Sequence, residues 1–438
     1  MNKLFQAIDN APLIIFRIFF GVLFACESFG AILTGWVKDN FITPQFTFSH
    51  IGFDWLQPLP GYGMYGYFVV MGVFSVCVAL GYRYRFSIIA LTLLWAGVYL
   101  MQKTSYNNHY YLLLLISFVL VFLPANRYKA LDVKLGYVKQ QLTMPKWCSW
   151  IFILQIAIVY FYATIAKFYP DWLDGTFTKN LLANRTPFES VNNLFAQKWF
   201  YMFIAYAGIV FDGLIVPALL YKRTRTWAVI ASLVFHIFNS IVLQIGIFPY
   251  FALSFAVFFY PPETIRKLFF KSKPQITETN NYLYKDKKLL LFLFLPFFIL
   301  QLVLPIRHWF IPGDVLFTEE GHRLSWRMML RSRSGSTYYS VIDKNTNERI
   351  AYDLYEKLTQ KQHGVFSSHP DMIWQMAQRI KKEFAQQGID VAVYAHSYVS
   401  INGRAPVQLI NDKVDLAQEK WNYFGPSSFI FPQPEYFK

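Results

Sequence analysis

Charge is scarce in this chain. Of 438 residues only 15% are Asp, Glu, Lys or Arg, against roughly a quarter in ordinary soluble domains. That shortage, beside 55% hydrophobic residues and 45 Phe, 29 Tyr and 12 Trp, excludes a soluble globular protein and implies a polytopic membrane protein. Cysteine is also scarce. Cys26, Cys77 and Cys148 all lie in or beside apolar segments, so neither a disulfide framework nor a Cys-based zinc site is available. The eight His show no metal-ligand spacing, no P-loop is present, and no metal site is expected. GYGMYG at 61–66 has the GxGxxG spacing, but no strand precedes it and an apolar span follows, so it lacks the strand-to-helix turn that a dinucleotide fingerprint requires.

The net charge of +15 raises the question of nucleic acid, and its distribution answers it. Residues 307–438 carry 16 Lys and Arg against 14 Asp and Glu, so +13 of the excess lies on 1–306, among hydrophobic segments. Short basic clusters beside apolar spans mark cytoplasmic loops; a nucleic-acid binder would concentrate charge on a polar face. Nucleic acid is not an expected partner.

Runs long enough to cross a bilayer fall near 12–35, 63–82, 86–103, 106–124, 149–168, 199–221, 227–245, 247–261 and 287–306. The eighth is short and separated from the seventh by Gly246 and Pro249. The expected fold is therefore a polytopic α-helical membrane protein of about nine spans, residues 1–306, with a C-terminal extracytoplasmic α+β domain, residues 307–438. Arg17 interrupts the first apolar run and no small-residue cleavage site follows, which favours an uncleaved first span. Loops with Arg83, Arg85, Arg127, Lys129, Lys134, Lys222, Arg223, Lys267 and Lys271 alternate with loops poor in basic residues. This places the N-terminus in the cytoplasm and 307–438 outside. In the polar part, 325–333, 337–342, 349–352, 390–401 and 405–410 read as strands, with Asn402-Gly403 as a hairpin turn. Residues 370–387 read as a helix with Ile373, Ala377, Ile380 and Phe384 on one face and Gly388 at its end.

Ionisable residues inside the spans are costly and persist for function or pairing. They are Arg17, Glu27, Lys103, His109, Lys167, Asp212 and His236. Arg17 and Lys167 lie where a long side chain could snorkel, Asp212 reads as a counter-ion for a basic residue, and His236 as either a hydrogen-bonded structural residue or a site residue. Lys103-Thr104-Ser105-Tyr106-Asn107-Asn108-His109 stands apart. A lysine kept out of water loses proton affinity and can serve as a neutral amine base, and the two amides and imidazole that follow are more polar groups than a tight hairpin needs.

At these residues the sequence resembles a known family. KTSYNNHYY at 103–111 is similar to the KTSWNNH signature of vitamin K-dependent gamma-glutamyl carboxylases, and Phe16-Arg17 through Glu27 resembles that family's first span. Likeness continues in Leu80-Gly81-Tyr82-Arg83, in QIAIVYFYATIAKFYPDWLDG at 155–175, and in FHIFNS at 235–240 with Ile245 to Tyr250. SWRMMLRSR at 325–333 resembles SWDMMVHSR, and VSINGR at 399–404 resembles VSINDR. GHRLSWRMMLR looks like the bacterial branch.

The resemblance implies oxygenation of a reduced naphthoquinone (reduced vitamin K, or menaquinol in a bacterium) to its epoxide, coupled to proton removal from the gamma carbon of Glu and addition of CO2, with O2 and CO2 as co-substrates. It also implies Lys103, His109 and His236 as catalytic residues, and Asn107, Asn108 and Asn239 as quinol-binding residues. Trp326, Arg331 and Arg404 would bind substrate, although an arginine on a strand face can equally be an exposed charge. Expected partners are a lipid quinol, membrane lipid and a Glu-containing exported peptide or protein; the expected location is the bacterial inner membrane. Two other readings stay open: quinol oxygenation without peptide carboxylation, and a non-enzymatic transporter or anchor.

Overall fold

The computed structural model describes residues 2–275 and 285–433, so Met1 and 434–438, the outer ends of the two expected domains, lie outside the described residues. Nine apolar helices follow the expected order: α1 Ala11–Leu33, α2 Gly63–Leu80, α3 Tyr84–Met101, α4 Asn108–Phe122, α5 Trp147–Ala166, α6 Lys198–Leu220, α7 Arg225–Ile241, α8 Phe248–Ser254 and α9 Leu295–Ile306. Six of them, counting α9 as part of a continuous stretch Asp286–Phe310, are long and apolar enough to cross a membrane among the described residues. The others are shorter: α4 has 15 residues, α7 has 17, and α8 continues only as a 3-10 turn to Phe258. Gly246, at φ +54°, lies in the turn between α7 and α8, in a left-handed conformation that glycine adopts at little cost.

Helix α1 starts with Pro12 in its first turn, where the missing N–H is no loss. It then lies against α2 so closely that a Cβ at Gly21 would stand 2.4 Å from the Ala79 nitrogen. The buried charges are resolved individually. Arg17 is fully buried and neither snorkels nor meets Asp212; it donates to the carbonyls of Ala125 at 2.9 Å and Lys129 at 2.7 Å, tying α1 to the turn after α4. Asp212 instead pairs with Lys167, joining α6 to the end of α5.

At one end of the bundle, strands β1 Ala7–Asp9 and β2 Thr143–Pro145 pair antiparallel, and Lys273 bonds Asp9, Asn10 and the Leu142 carbonyl. The Gly81 and Asp132 turns meet there too. The loops after α1, α3 and α5 gather at the opposite end with residues 307–433: Lys103 donates its N–H to Phe48 O, Gln362 to Phe46 O, and Asn180 to Asn402 O. The alternation read from basic residues is thus reproduced as two distinct ends.

The polar part is a four-stranded antiparallel sheet among the described residues, ordered β4 Arg349–Ile350, β3 Arg333–Asp343, β5 Val391–Ile401, β6 Val407–Gln408. Helix α10, Pro370–Ala385, covers one face, burying Ile373, Ala377, Ile380 and Phe384 against Tyr339, Val341, Val393 and Ala395. Asn402 and Gly403, at φ +53° and +80°, form the hairpin turn that Asn-Gly favours. The strand expected at 325–333 does not form; β3 begins at Arg333. Leu324, Trp326 and Met329 have φ of +62°, +58° and +49°, which no pleated strand accepts. Their backbone is bonded to the α3–α4 turn instead: Leu324 N–H donates to the Tyr106 hydroxyl and Asn108 donates to Arg327 O.

Removing one member of a buried ion pair leaves an uncompensated charge, which costs about 3–5 kcal/mol, whereas replacing both with apolar residues is near neutral. Asp212→Leu is expected to lower the thermal unfolding temperature of the purified protein sharply, and Lys167→Met in the same chain to restore most of it. Equal losses in the single and double variants would contradict the pairing.

Candidate active site

The turn between α3 and α4 is built around a lysine. Gln102 leaves α3 in an extended conformation, accepts the Thr104 N–H and donates to Asn40 O at 2.6 Å. That fixes the 3-10 turn Lys103–Ser105 and turns the Lys103 side chain inward, where it is 2% exposed. Its Nζ lies 2.6 Å from Asp371 Oδ2, and the Arg323 Nη1 donates to the same oxygen at 2.5 Å. Asp371 stands in the first turn of α10, where the helix dipole favours a negative charge. Burial pushes the Lys103 ammonium down from its ordinary 10.5 to about 8; Asp371 pulls upward and Arg323 pushes further down. For Asp371, burial would raise the carboxyl, but Arg323 and Lys103 overcome it and hold it well below the usual carboxylate range.

Lys103 borders two cavities. One, of about 380 Å³, also takes in Asn107, Asn108, His109, Arg327 and Arg331. The other, of about 360 Å³, lies on the side of His50 and Tyr423 and shares Lys103, Glu319 and Arg323 with the first. A larger chamber of about 750 Å³ runs into the helices between α4, α5, α6, α7 and α8, walled mostly by Phe, Leu, Ile and Val and including His236 and Asn239. His109, Met328 and Met329 line both this chamber and the first cavity. The His109 ring is stacked on Phe248, 3.7 Å between centroids.

A second buried ionic cluster closes the first cavity from the sheet side. Glu319 receives Arg331 Nη2, lies 3.2 Å from Arg333, and is flanked by His322 and His369 at 3.6 and 4.0 Å. Burial would raise its carboxyl; the Arg331 and Arg333 guanidinium groups hold it well below the usual range. Burial lowers the His369 imidazole to about 4, and burial with Arg331 lowers that of His322 as well, so both rings are neutral near pH 7.

Of the residues expected from the sequence, Lys103, Asn107, Asn108, His109 and Arg331 line the polar cavity, and His236 and Asn239 line the adjoining chamber. The two amides are already engaged. Asn107 caps α4 by accepting the Tyr110 N–H at 2.7 Å, and Asn108 donates to Arg327 O at 3.1 Å while accepting the Tyr106 hydroxyl. Trp326 is fully buried and stacked on Tyr111, and it borders neither space. Arg404 lies 2.5 Å from Asp171, which also accepts Asn402. Sequence reasoning missed Asp371, Arg323, Glu319 and Arg327. An acidic residue after Pro370 reads as an ordinary helix start, and nothing local ties it to a lysine 268 positions away. Arg327 falls in the stretch 325–333 that reads as a strand, and Arg323, two residues before it, carries no local signal of its own.

Comparison with known families finds a match in each of the two parts of the chain. Residues 5–263 match the family model of the HTTM domain, and residues 286–436 match that of the vitamin K-dependent gamma-carboxylase, lumenal domain. No solved structure matches. The two matches cover the helical bundle and the sheet in sequence order, and the polar cavity lies where they meet; the chain belongs to the vitamin K-dependent gamma-carboxylase family.

Proposed function

We propose that this protein is a quinol-dependent gamma-glutamyl carboxylase that couples oxygenation of a reduced naphthoquinone to its epoxide with proton abstraction from Glu and addition of CO2. The observation that carries the proposal is Lys103: an amine kept from water at the edge of the helical bundle, lowered to about 8, in a polar cavity that shares His109, Met328 and Met329 with a large apolar chamber. Domain organisation follows the same line, with 1–306 carrying the quinol and base and 307–438 the substrate side. The basic residues at the end away from the sheet support an N-terminus in the cytoplasm and the sheet outside, in our reading across a bacterial inner membrane.

The residues present fit a prenylated naphthoquinone. The chamber's aromatic and aliphatic walls suit a ring and tail drawn from lipid, and His236 Nδ1 is a buried nitrogen with no protein partner among the described residues. Its other nitrogen, Nε2, lies 3.3 Å from the Tyr160 hydroxyl. Such a quinol, when bound, would supply on oxygenation the strong base that the gamma carbon of Glu requires. Neutral Lys103 accepts a proton at Nζ, and Asp371 then stabilises the ammonium at 2.6 Å. His109, packed on Phe248, and His236 with Asn239 orient a ligand's polar atoms from the chamber side. The apolar walls exclude water that would quench a strong base.

Lys103→Ala is expected to abolish both epoxide formation and incorporation of labelled bicarbonate into a Glu peptide, with partial recovery on adding a small primary amine. Full activity without the lysine would remove it from the mechanism. Epoxide without incorporated label in the native protein would favour oxygenation alone.

The ionic neighbours make a prediction with opposed signs. A base must be unprotonated, so activity rises with pH through the Lys103 value near 8. Asp371 raises that value and Arg323 lowers it. In rate–pH profiles Asp371→Asn therefore moves the acid limb to lower pH and Arg323→Gln moves it higher. Shifts of the same sign in both variants would contradict Lys103 as the titrating group.

A further inference from the structure

Five basic side chains, Lys103, Arg323, Arg327, Arg331 and Arg333, line the polar cavity, and Glu319 is the carboxylate among its lining residues. Four of the five are engaged. Lys103 and Arg323 share Asp371. Arg331 gives Nη2 to Glu319 and sets Nη1 2.9 Å from His322 Nε2. Arg333 stands against Glu319 and donates to the carbonyls of Leu316, Phe317 and Ser368.

Arg327 differs. Among the described residues no carboxylate lies within ion-pair distance of its guanidinium; Asp314 and Glu319 act on it only from farther away. Its Nη1 lies 3.3 Å from His308 Nε2, and its Nε is buried without a partner among the described residues. Among those residues the Nε–Nη2 edge is thus uncommitted. The backbone is built to keep it there: Asn108 donates to Arg327 O at 3.1 Å, and Trp326 and Met329 on either side hold left-handed conformations that non-glycine residues adopt at a cost.

A half-buried guanidinium with one edge unused, in a wall whose other cations are already partnered, is matched by a carboxylate making two parallel hydrogen bonds. We propose that Arg327 holds the side-chain carboxylate of the glutamyl residue in this cavity, a role that Arg331 and Arg404 are held back from by Glu319 and Asp171. The assignment deepens the carboxylase reading and rests on it for the identity of the ligand, though not for the presence of an anion site.

The test is equilibrium binding of a short Glu peptide and its Gln counterpart to the full chain in lipid nanodiscs, without quinol. Wild type is expected to prefer the Glu peptide. Arg327→Gln should weaken it about 30-fold or more while leaving the Gln peptide unchanged, and Arg327→Lys should retain part of the preference. Arg349→Gln, an exposed strand residue, controls for general charge and should change neither. A Glu preference that survives in Arg327→Gln, or an equal loss for both peptides, overturns the assignment. Label incorporation measured in parallel separates the two readings. Incorporation by wild type with unaltered binding in Arg327→Gln sinks only the Arg327 role, whereas altered binding without incorporation sinks the carboxylation and leaves an anion site.

Discussion

The contact on which the rest of the site depends is the one between Lys103 and Asp371. It is a charge pair made across the two matched regions of the chain, from a turn between membrane helices to the first turn of the helix that backs the sheet. Two buried charges cost several kcal/mol each to desolvate, and only close geometry returns that cost. The pair therefore sets a polar constraint on where the sheet sits over the bundle, one that tolerates little misalignment. Arg323 makes it a triad; burial above all, and Arg323 after it, bias Lys103 toward the neutral amine. A simple Lys–Asp pair would keep its proton to high pH; this one sits near the point of release.

The segment 324–330 shows how the same turn serves as a clamp. Tyr106 and Asn108 bond its backbone at Leu324 and Arg327, and Tyr169 reaches the Leu330 carbonyl. Three non-glycine residues in left-handed conformations persist there because the surrounding bonds over-determine them. Polar side chains that the sequence suggests as ligand contacts are thus partly scaffolding, and what they support is a row of arginines facing the cavity.

Much of the architecture is legible in the sequence because its causes are local or periodic. Apolar runs of spanning length give α1, α2, α3, α5, α6 and α9, the face of Ile373, Ala377, Ile380 and Phe384 gives α10, and Asn402-Gly403 gives a hairpin. Lys103 and His109 are legible because charge and imidazole are anomalous among apolar residues. Trp326 illustrates the opposite case. Beside a motif it reads as a contact residue, yet its large ring is consumed by stacking on Tyr111. Asp371, Glu319 and Arg327 were invisible because their meaning is relational: whether a charge is spent or spare depends on partners brought together only by the fold. The pairing of Asp212 with Lys167 rather than Arg17 is of the same kind.

His109, Met328 and Met329 form a thin septum shared by an oily compartment and an ionic one. Molecules with incompatible solubilities can therefore face each other across a few atoms without either dissolving in the other's medium. No carboxylate has to enter hydrocarbon, a transfer that is costly for any charged group, and no apolar chain has to enter water. The wall between two solvents becomes the meeting place itself.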